Sequence, residues 1–267
     1  MKLILVDEQK QIQLNILRKV HHFCESNGLH YTLIFGTLLG AIRHKGYIPW
    51  DDDIDIAMPR NDYEVFIEKF QDDNYKVYDY RRDEFYDHPY AKVADTRTLL
   101  EERVCMRPIG VNIDVFPFDD LGTSYEESVA LANSLSAIKK RFRIKLLKPS
   151  KKNVWWKRLA IRMLKIIVIG QTLKELASKE NEEIHMKASE EALYSAILTE
   201  SSLKACIKSI CPKSYFSEYI DVDFEGEKFK AIRGYDSWLR NMYGDYMTPP
   251  PEDKRMSPHT IGNVYWI

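Results

Sequence analysis

Asp51, Asp52, Asp53 and Asp55 stand in one stretch, Pro49-Trp50-Asp51-Asp52-Asp53-Ile54-Asp55-Ile56. An extended backbone sends alternate side chains to the same face. If the stretch is a strand, Asp53 and Asp55 project together while Ile54 and Ile56 enter a core. Paired carboxylates repel unless positive charge lies between them, and a hard divalent cation such as Mg2+ is the usual solution. A glycine turn, Gly36-Thr37, precedes the pair, and a lone acid, Asp114, follows it between Ile113 and Val115. This combination points to metal-dependent phosphoryl-group chemistry, in which catalysis is mostly positioning and charge stabilisation. Asp53, Asp55 and Asp114 are the candidate metal ligands and catalytic acids. Asp114 either shares a metal or accepts the proton of an attacking hydroxyl. Gly36 would let the backbone approach a phosphate closely, and the Thr37 amide at a helix start would donate to an anion.

Two other readings of the acidic run are weaker. A solvated acidic loop does not explain why Ile54, Ile56 and Met58 alternate with the acids. A calcium loop matches Asp51, Asp53 and Asp55 at its first, third and fifth positions. It then needs Gly sixth and Glu twelfth, where this chain has Ile56 and Asp62. Cations that could meet a diphosphate are Arg43 and His44, just after the glycine turn, and Arg60 and Lys92. The last two sit in acidic or apolar settings that call for a counter-charge. The histidines share no zinc-ligand spacing.

The elements that must position these residues follow from periodicity. Residues 8–27 read as an amphipathic helix stopped by Asn27-Gly28. Strands are expected at 31–35, 53–58, 75–80, 90–94, 99–104 and 111–116, with Asn61 or Asp62 capping a helix after Pro59. This is an α/β plan, a mixed sheet flanked by helices. From residue 125 to about 187 the pattern is helical, broken at Lys148-Pro149-Ser150 and near Gly170. A hairpin over 222–229 and a helix over 236–243 ended by Gly244 follow. Three regions result: a catalytic core over 1–122, a basic helical region over 123–210, and a segment over 211–267 that completes the site.

A chain of 267 residues can bury a sizeable core, and 45% hydrophobic content argues against wholesale disorder. The stretch Met1–Val6 meets Asp7-Glu8 at once, unlike a secretory signal, and no run reaches the apolar length of a spanning helix. Cys24, Cys105, Cys206 and Cys211 form no CxxC pair and read as reduced thiols, so a cytoplasmic location is expected. The net charge of −1 and the lack of an RNA-binding motif weigh against nucleic acid as a partner. That balance hides a local excess: residues 139–165 hold twelve Lys or Arg and no acid, interleaved with Trp155, Trp156 and aliphatic residues. Beside a solvated basic face, this reads as an interfacial segment that would touch the inner membrane leaflet.

The residues from Phe35-Gly36-Thr37-Leu38-Leu39-Gly40 through His44-Lys45-Gly46-Tyr47-Ile48-Pro49-Trp50 into Asp51–Asp55 resemble the LicD family of phosphocholine transferases. The likeness continues at Met58-Pro59-Arg60, Asn112–Pro117, Tyr243–Met247, Pro250, Arg255 and His259. The resemblance implies a nucleotidyltransferase-like fold with Mg2+, or Mn2+ in its place, on Asp53, Asp55 and Asp114. It implies transfer of phosphocholine from CDP-choline to a sugar hydroxyl of a cell-surface glycan precursor, with release of CMP. The acceptor would be a lipid-linked oligosaccharide, a teichoic acid or a lipopolysaccharide. His259 joins the cofactor-binding candidates on this resemblance alone. Choline would want an aromatic cage, for which Trp50, Tyr47, Tyr243 and Tyr246 are candidates by proximity. Other readings are a CDP-activated ribitol or glycerol, nucleotidyl transfer to a small molecule, and an inactive membrane-associated binding protein. The intact acids weigh against the last.

Overall fold

The computed structural model describes residues 1–102, 108–148, 154–189, 191–255 and 261–267. Strand β1 (Lys2–Ile4) leads into helix α1 (Val6–Asn27), whose Ile12, Ile16, Leu17 and Val20 recur at helical spacing and are buried. Then come β2 (Thr32–Leu33), α2 (Phe35–His44), β3 (Asp55–Pro59), α3 (Arg60–Lys69), β4 (Tyr75–Tyr78), β5 (Ala91–Asp95), β6 (Thr98–Glu102) and β7 (Asn112–Asp120). Four helices follow, α4 (Tyr125–Ser134), α5 (Ser136–Leu146), α6 (Trp155–Ile166) and α7 (Leu173–Lys187). The remainder is β8 (Tyr194–Ala196), α8 (Leu203–Ser209), β9 (Cys211–Pro212), β10 (Tyr219–Phe224), β11 (Glu227–Ile232), α9 (Tyr235–Tyr243) and β12 (Ile261–Trp266).

The main sheet runs β2-β3-β7-β5-β4, with β8 paired to the end of β7 and β9 to β8. Among the described residues, β3 and β7 are the one parallel pair in this sheet and the other pairs are antiparallel. A mixed sheet flanked by helices is the α/β architecture expected. The Ile54 and Ile56 side chains are fully buried, as the alternation requires, and share a core with α1, α3 and the β10–β11 hairpin. A smaller sheet, β1-β12-β6, brings Lys2–Ile4 beside Val264–Trp266. The helical region has its own apolar cluster, in which Leu121, Leu135, Ile184, Leu198 and Cys206 meet.

Several expectations shift for identifiable reasons. The strand expected at 31–35 pairs only at Thr32–Leu33, because Phe35 turns to φ +45° and starts α2. That conformation costs a bulky residue about 1 kcal/mol; the Phe35 ring packs against Phe116 and Trp238, at 5.5 and 5.6 Å. Neither Asn61 nor Asp62 caps α3, whose N-cap is Pro59 without a side-chain bond. The Asp62 carboxylate instead accepts the His30 backbone N–H at 2.9 Å. Strand β7 does not stop before Pro117 but runs to Asp120. A proline is tolerated there because β5 makes its last pair at Ala91–Val115, so no partner on that side needs its N–H. The hairpin forms around Glu225 and Gly226, both at positive φ, the turn that matches strand twist. Cys24, Cys206 and Cys211 are buried free thiols. Cys105 and the end of the strand expected at 99–104 lie outside the described residues.

Two buried ion pairs tie layers together. Arg60, at the start of α3, reaches Asp119 near the end of β7 with two bonds of 2.6 and 3.0 Å. Burial raises the Asp119 carboxyl above its ordinary value despite this guanidinium. Lys139 of α5 donates to Glu180 of α7 at 2.5 Å and to the carbonyls of Leu198 and Glu200. Removing one partner of such a pair strands a buried charge. Arg60→Met should therefore lower the unfolding free energy in urea by about 3–5 kcal/mol, and adding Asp119→Leu should recover most of it. A single variant as stable as the parent would show that the pair holds nothing.

Candidate active site

Strand register assembles the centre of the site. Asp55 of β3 lies directly opposite Asp114 of β7, and Asp114 lies opposite Lys92 of β5. Neighbouring strands are about 4.8 Å apart, so the three side chains form a row across the sheet. The Lys92 Nζ donates to Asp114 Oδ1 at 2.5 Å and to Asn112 Oδ1 at 3.2 Å. Both Asp55 and Lys92 are buried, at 8% and 7% exposure, so their charges interact with little screening by water. The Asp55 backbone is held at both its polar groups from the β2–α2 side: its N–H donates to Thr37 Oγ1 at 2.8 Å, and its carbonyl accepts the Ile34 N–H at 3.1 Å. Burial, then the charges of Asp53, Asp114 and Asp51, hold the Asp55 carboxyl well above the ordinary carboxylate range, while Lys92 pulls it back.

The row opens into a cavity of about 620 Å³, a volume suited to a small ligand. Gly36, Arg43, Asp53, Asp55 and Asp114 all line it, together with Asp51. A Cβ at Gly36 would lie 2.4 Å from Asp51 Oδ2, so the room the glycine leaves is taken by a carboxylate rather than kept for a phosphate. Thr37 is buried and serves β3 through its hydroxyl; it does not line the cavity. Arg43 donates to the Tyr246 carbonyl at 2.6 Å, and burial together with nearby Arg255 lowers its proton affinity. The Arg255 guanidinium lies 5.5 Å from the centre of the Trp50 ring. Arg255 thus lies near Arg43 and Trp50 of the lining without lining the cavity itself.

Aromatic rings supply much of the rest. Trp50, Tyr90, Tyr243 and Tyr246 line the cavity, with the Tyr90 ring tilted against Phe116 at 4.0 Å between centroids. Tyr47 does not join them; its ring meets Phe224 and its hydroxyl donates to the Lys10 carbonyl. His44 stands edge-on to Trp50 at 6.3 Å, outside the lining, with burial and Arg43 lowering its pKa. Arg60 is not brought here at all. It lines a second cavity, of about 880 Å³, where its charge answers Asp119. His259 lies outside the described residues.

Glu200, Ser201 and Asp245 also line the site and were missed by sequence reasoning. Asp245 falls within a quoted stretch, Tyr243–Met247, which was the available signal. Glu200 and Ser201 had none: they reach the cavity because Lys139, one cation in a basic run, holds the Leu198 and Glu200 carbonyls at 2.6 and 2.7 Å.

The donor set fits a hard divalent cation. All the acids offer oxygen, the donor such an ion prefers, and burial followed by the charges of Asp53, Asp114 and Asp51 raises the Asp55 carboxyl. Among the described residues, no three His, Cys, Asp or Glu side chains converge to ligate an ion as they stand. Asp114 is turned to Lys92 instead.

Comparison with known proteins places the chain in a family. Residues 28–155 match the family described as LicD/FKTN/FKRP, nucleotidyltransferase domain, a span that holds Gly36 and all the acids of the row. The lipopolysaccharide cholinephosphotransferase LicD of Haemophilus influenzae is 34% identical over 99% of this chain and 99% of its own length. An uncharacterized protein of Rickettsia typhi is 33% identical over 76 residues, 27% of this chain and 25% of that protein. A likeness that runs from end to end admits one conclusion: the chain belongs to the LicD family.

Proposed function

We propose that this protein is a transferase that moves phosphocholine from CDP-choline to a sugar hydroxyl of lipopolysaccharide or its precursor, releasing CMP. The observation that carries the reading is the in-register pair Asp55 and Asp114, which lines a cavity together with Asp53 and Arg43 while Lys92 on the next strand holds Asp114. The named activity of the Haemophilus influenzae relative supplies the transferred group and the acceptor class.

In this reading Asp53, Asp55 and Asp114 would hold Mg2+, which when bound would neutralise the donor diphosphate and the charge developing on the transferred phosphoryl group. Lys92 keeps one oxygen of Asp114 fixed. Arg43 in the lining, with Arg255 near it beside Trp50, would offer positive charge to the donor. The rings of Trp50, Tyr90, Tyr243 and Tyr246 present faces suited to a trimethylammonium group. The acceptor oxygen attacks the phosphorus that carries choline, the bond to the bridging oxygen breaks, and CMP leaves with that oxygen. The acceptor proton passes to a carboxylate of the cluster.

Purified protein incubated with CDP-choline, lipopolysaccharide and Mg2+ should release CMP, and chelation should stop it. Asp53→Asn should cut turnover at least about a hundredfold while leaving the thermal midpoint near the parent value. Retained turnover in that variant would remove Asp53 from the chemistry. Faster CMP release from CDP-ribitol or CDP-glycerol would reassign the donor.

Gly36→Ala tests the packing beneath the acids. Its methyl group must displace the Asp51 carboxylate, so kcat/KM should fall by about a hundredfold with little change in stability. Unchanged kinetics would mean that Asp51 has no part in shaping the site.

A further inference from the structure

Helix α6 has no buried residue, although it is built largely from apolar side chains. Trp155, Leu159, Met163 and Ile166 follow one another at helical spacing, and each is between 49% and 75% exposed. Trp156 and, beyond the helix end, Ile167 and Ile169 extend the same exposed apolar surface. The protein touches this helix along a narrow strip, since only Ile161 and Lys165, four residues apart, are partly covered. At its end, Val168 is buried and its carbonyl accepts a bond of 3.2 Å from Lys145 of α5. The helix is thus anchored at one end and lies along the surface with its apolar face outward.

Its charge says what covers that face. Arg158 and Arg162 flank the apolar row, Lys157 sits 5.5 Å above the Trp156 ring, and Lys140, Arg141 and Arg143 of α5 are exposed nearby in the chain. From residue 139 to 165 there is no acid to offset them. An apolar row edged by uncompensated cations and carrying tryptophan matches the boundary of an anionic bilayer, where headgroup phosphates meet acyl chains. At twelve residues the helix is about 18 Å long, too short to cross a membrane. A second copy of the chain is a poorer match, since two such cationic faces repel.

We infer that α6 lies in the surface of an anionic membrane and holds the protein there, with Trp155, Leu159 and Met163 entering the acyl boundary and Arg158 and Arg162 on the headgroups. This goes beyond the catalytic reading and does not depend on it, because its readout is bound protein rather than turnover.

The test is flotation of the full chain with phosphatidylcholine vesicles, with and without phosphatidylglycerol. The protein should float with the anionic vesicles, and added salt should weaken binding. Arg158→Gln with Arg162→Gln should lower affinity about thirtyfold. Trp155→Ser with Leu159→Ser and Met163→Ser should abolish flotation while circular dichroism and thermal midpoint stay unchanged, because all five residues are exposed. Three results would overturn the inference: no binding to anionic vesicles at low salt, binding that survives loss of the three apolar side chains, or a dimer in solution that those substitutions dissolve.

Discussion

Two carboxylates placed in register on adjacent parallel strands, with one ammonium beside them, form the constraint around which the structure is arranged. Asp55 and Asp114 face the same cavity across one strand spacing; Lys92 bonds Asp114 directly and its charge also acts on Asp55. Such a row is unfavourable on its own, since burial and mutual repulsion both oppose ionisation. It persists because the backbone beneath it is over-determined. Thr37 and Ile34 fix Asp55 from the β2–α2 side, Ile54 and Ile56 lock β3 into the core, and the β3–β7 ladder sets the spacing. Catalytic sites of this kind store unfavourable charge that a ligand relieves.

The two ends of the β3–β7 pair handle charge differently. At the Asp55–Asp114 end the acids outnumber the cation and open into the cavity. At the other end Asp119 receives both arms of Arg60, and the neighbouring Asp120 pairs with Lys213. The Arg60–Asp119 pair there joins α3 to the sheet, whereas the acids at the first end line the cavity.

Much of this was legible in the chain because it is local. Alternation of Asp with Ile around Asp53–Ile56 needs only a strand with one buried face, and Asn112–Phe116 repeats the pattern. The helix of residues 6–27 and the Glu225-Gly226 turn follow from spacing and backbone preference. What could not be read depends on which strands become neighbours. Lys92 was recognised as a needed counter-charge, but its place opposite Asp114, 22 residues away in the chain, comes from β5 pairing with β7. The same logic misdirected Arg60: a cation near acids in the chain need not meet those acids in space. Tyr47 was drawn away by the β10–β11 hairpin, where Phe224 takes its ring. Glu200 and Ser201 arrive through a carbonyl grip by Lys139, which leaves no pattern of residue types to detect.

The central claim is that this acidic row transfers the choline-bearing phosphoryl group, and phosphorus-31 spectroscopy of the reaction tests it most directly. With CDP-choline, Mg2+ and lipopolysaccharide, the choline-bearing phosphorus should leave the diphosphate region and reappear as a phosphodiester on the glycan, matched by an equal amount of CMP. Free phosphocholine with the cytidine phosphate joined to the acceptor would mean that the other phosphorus is attacked, and the account of the site would be wrong.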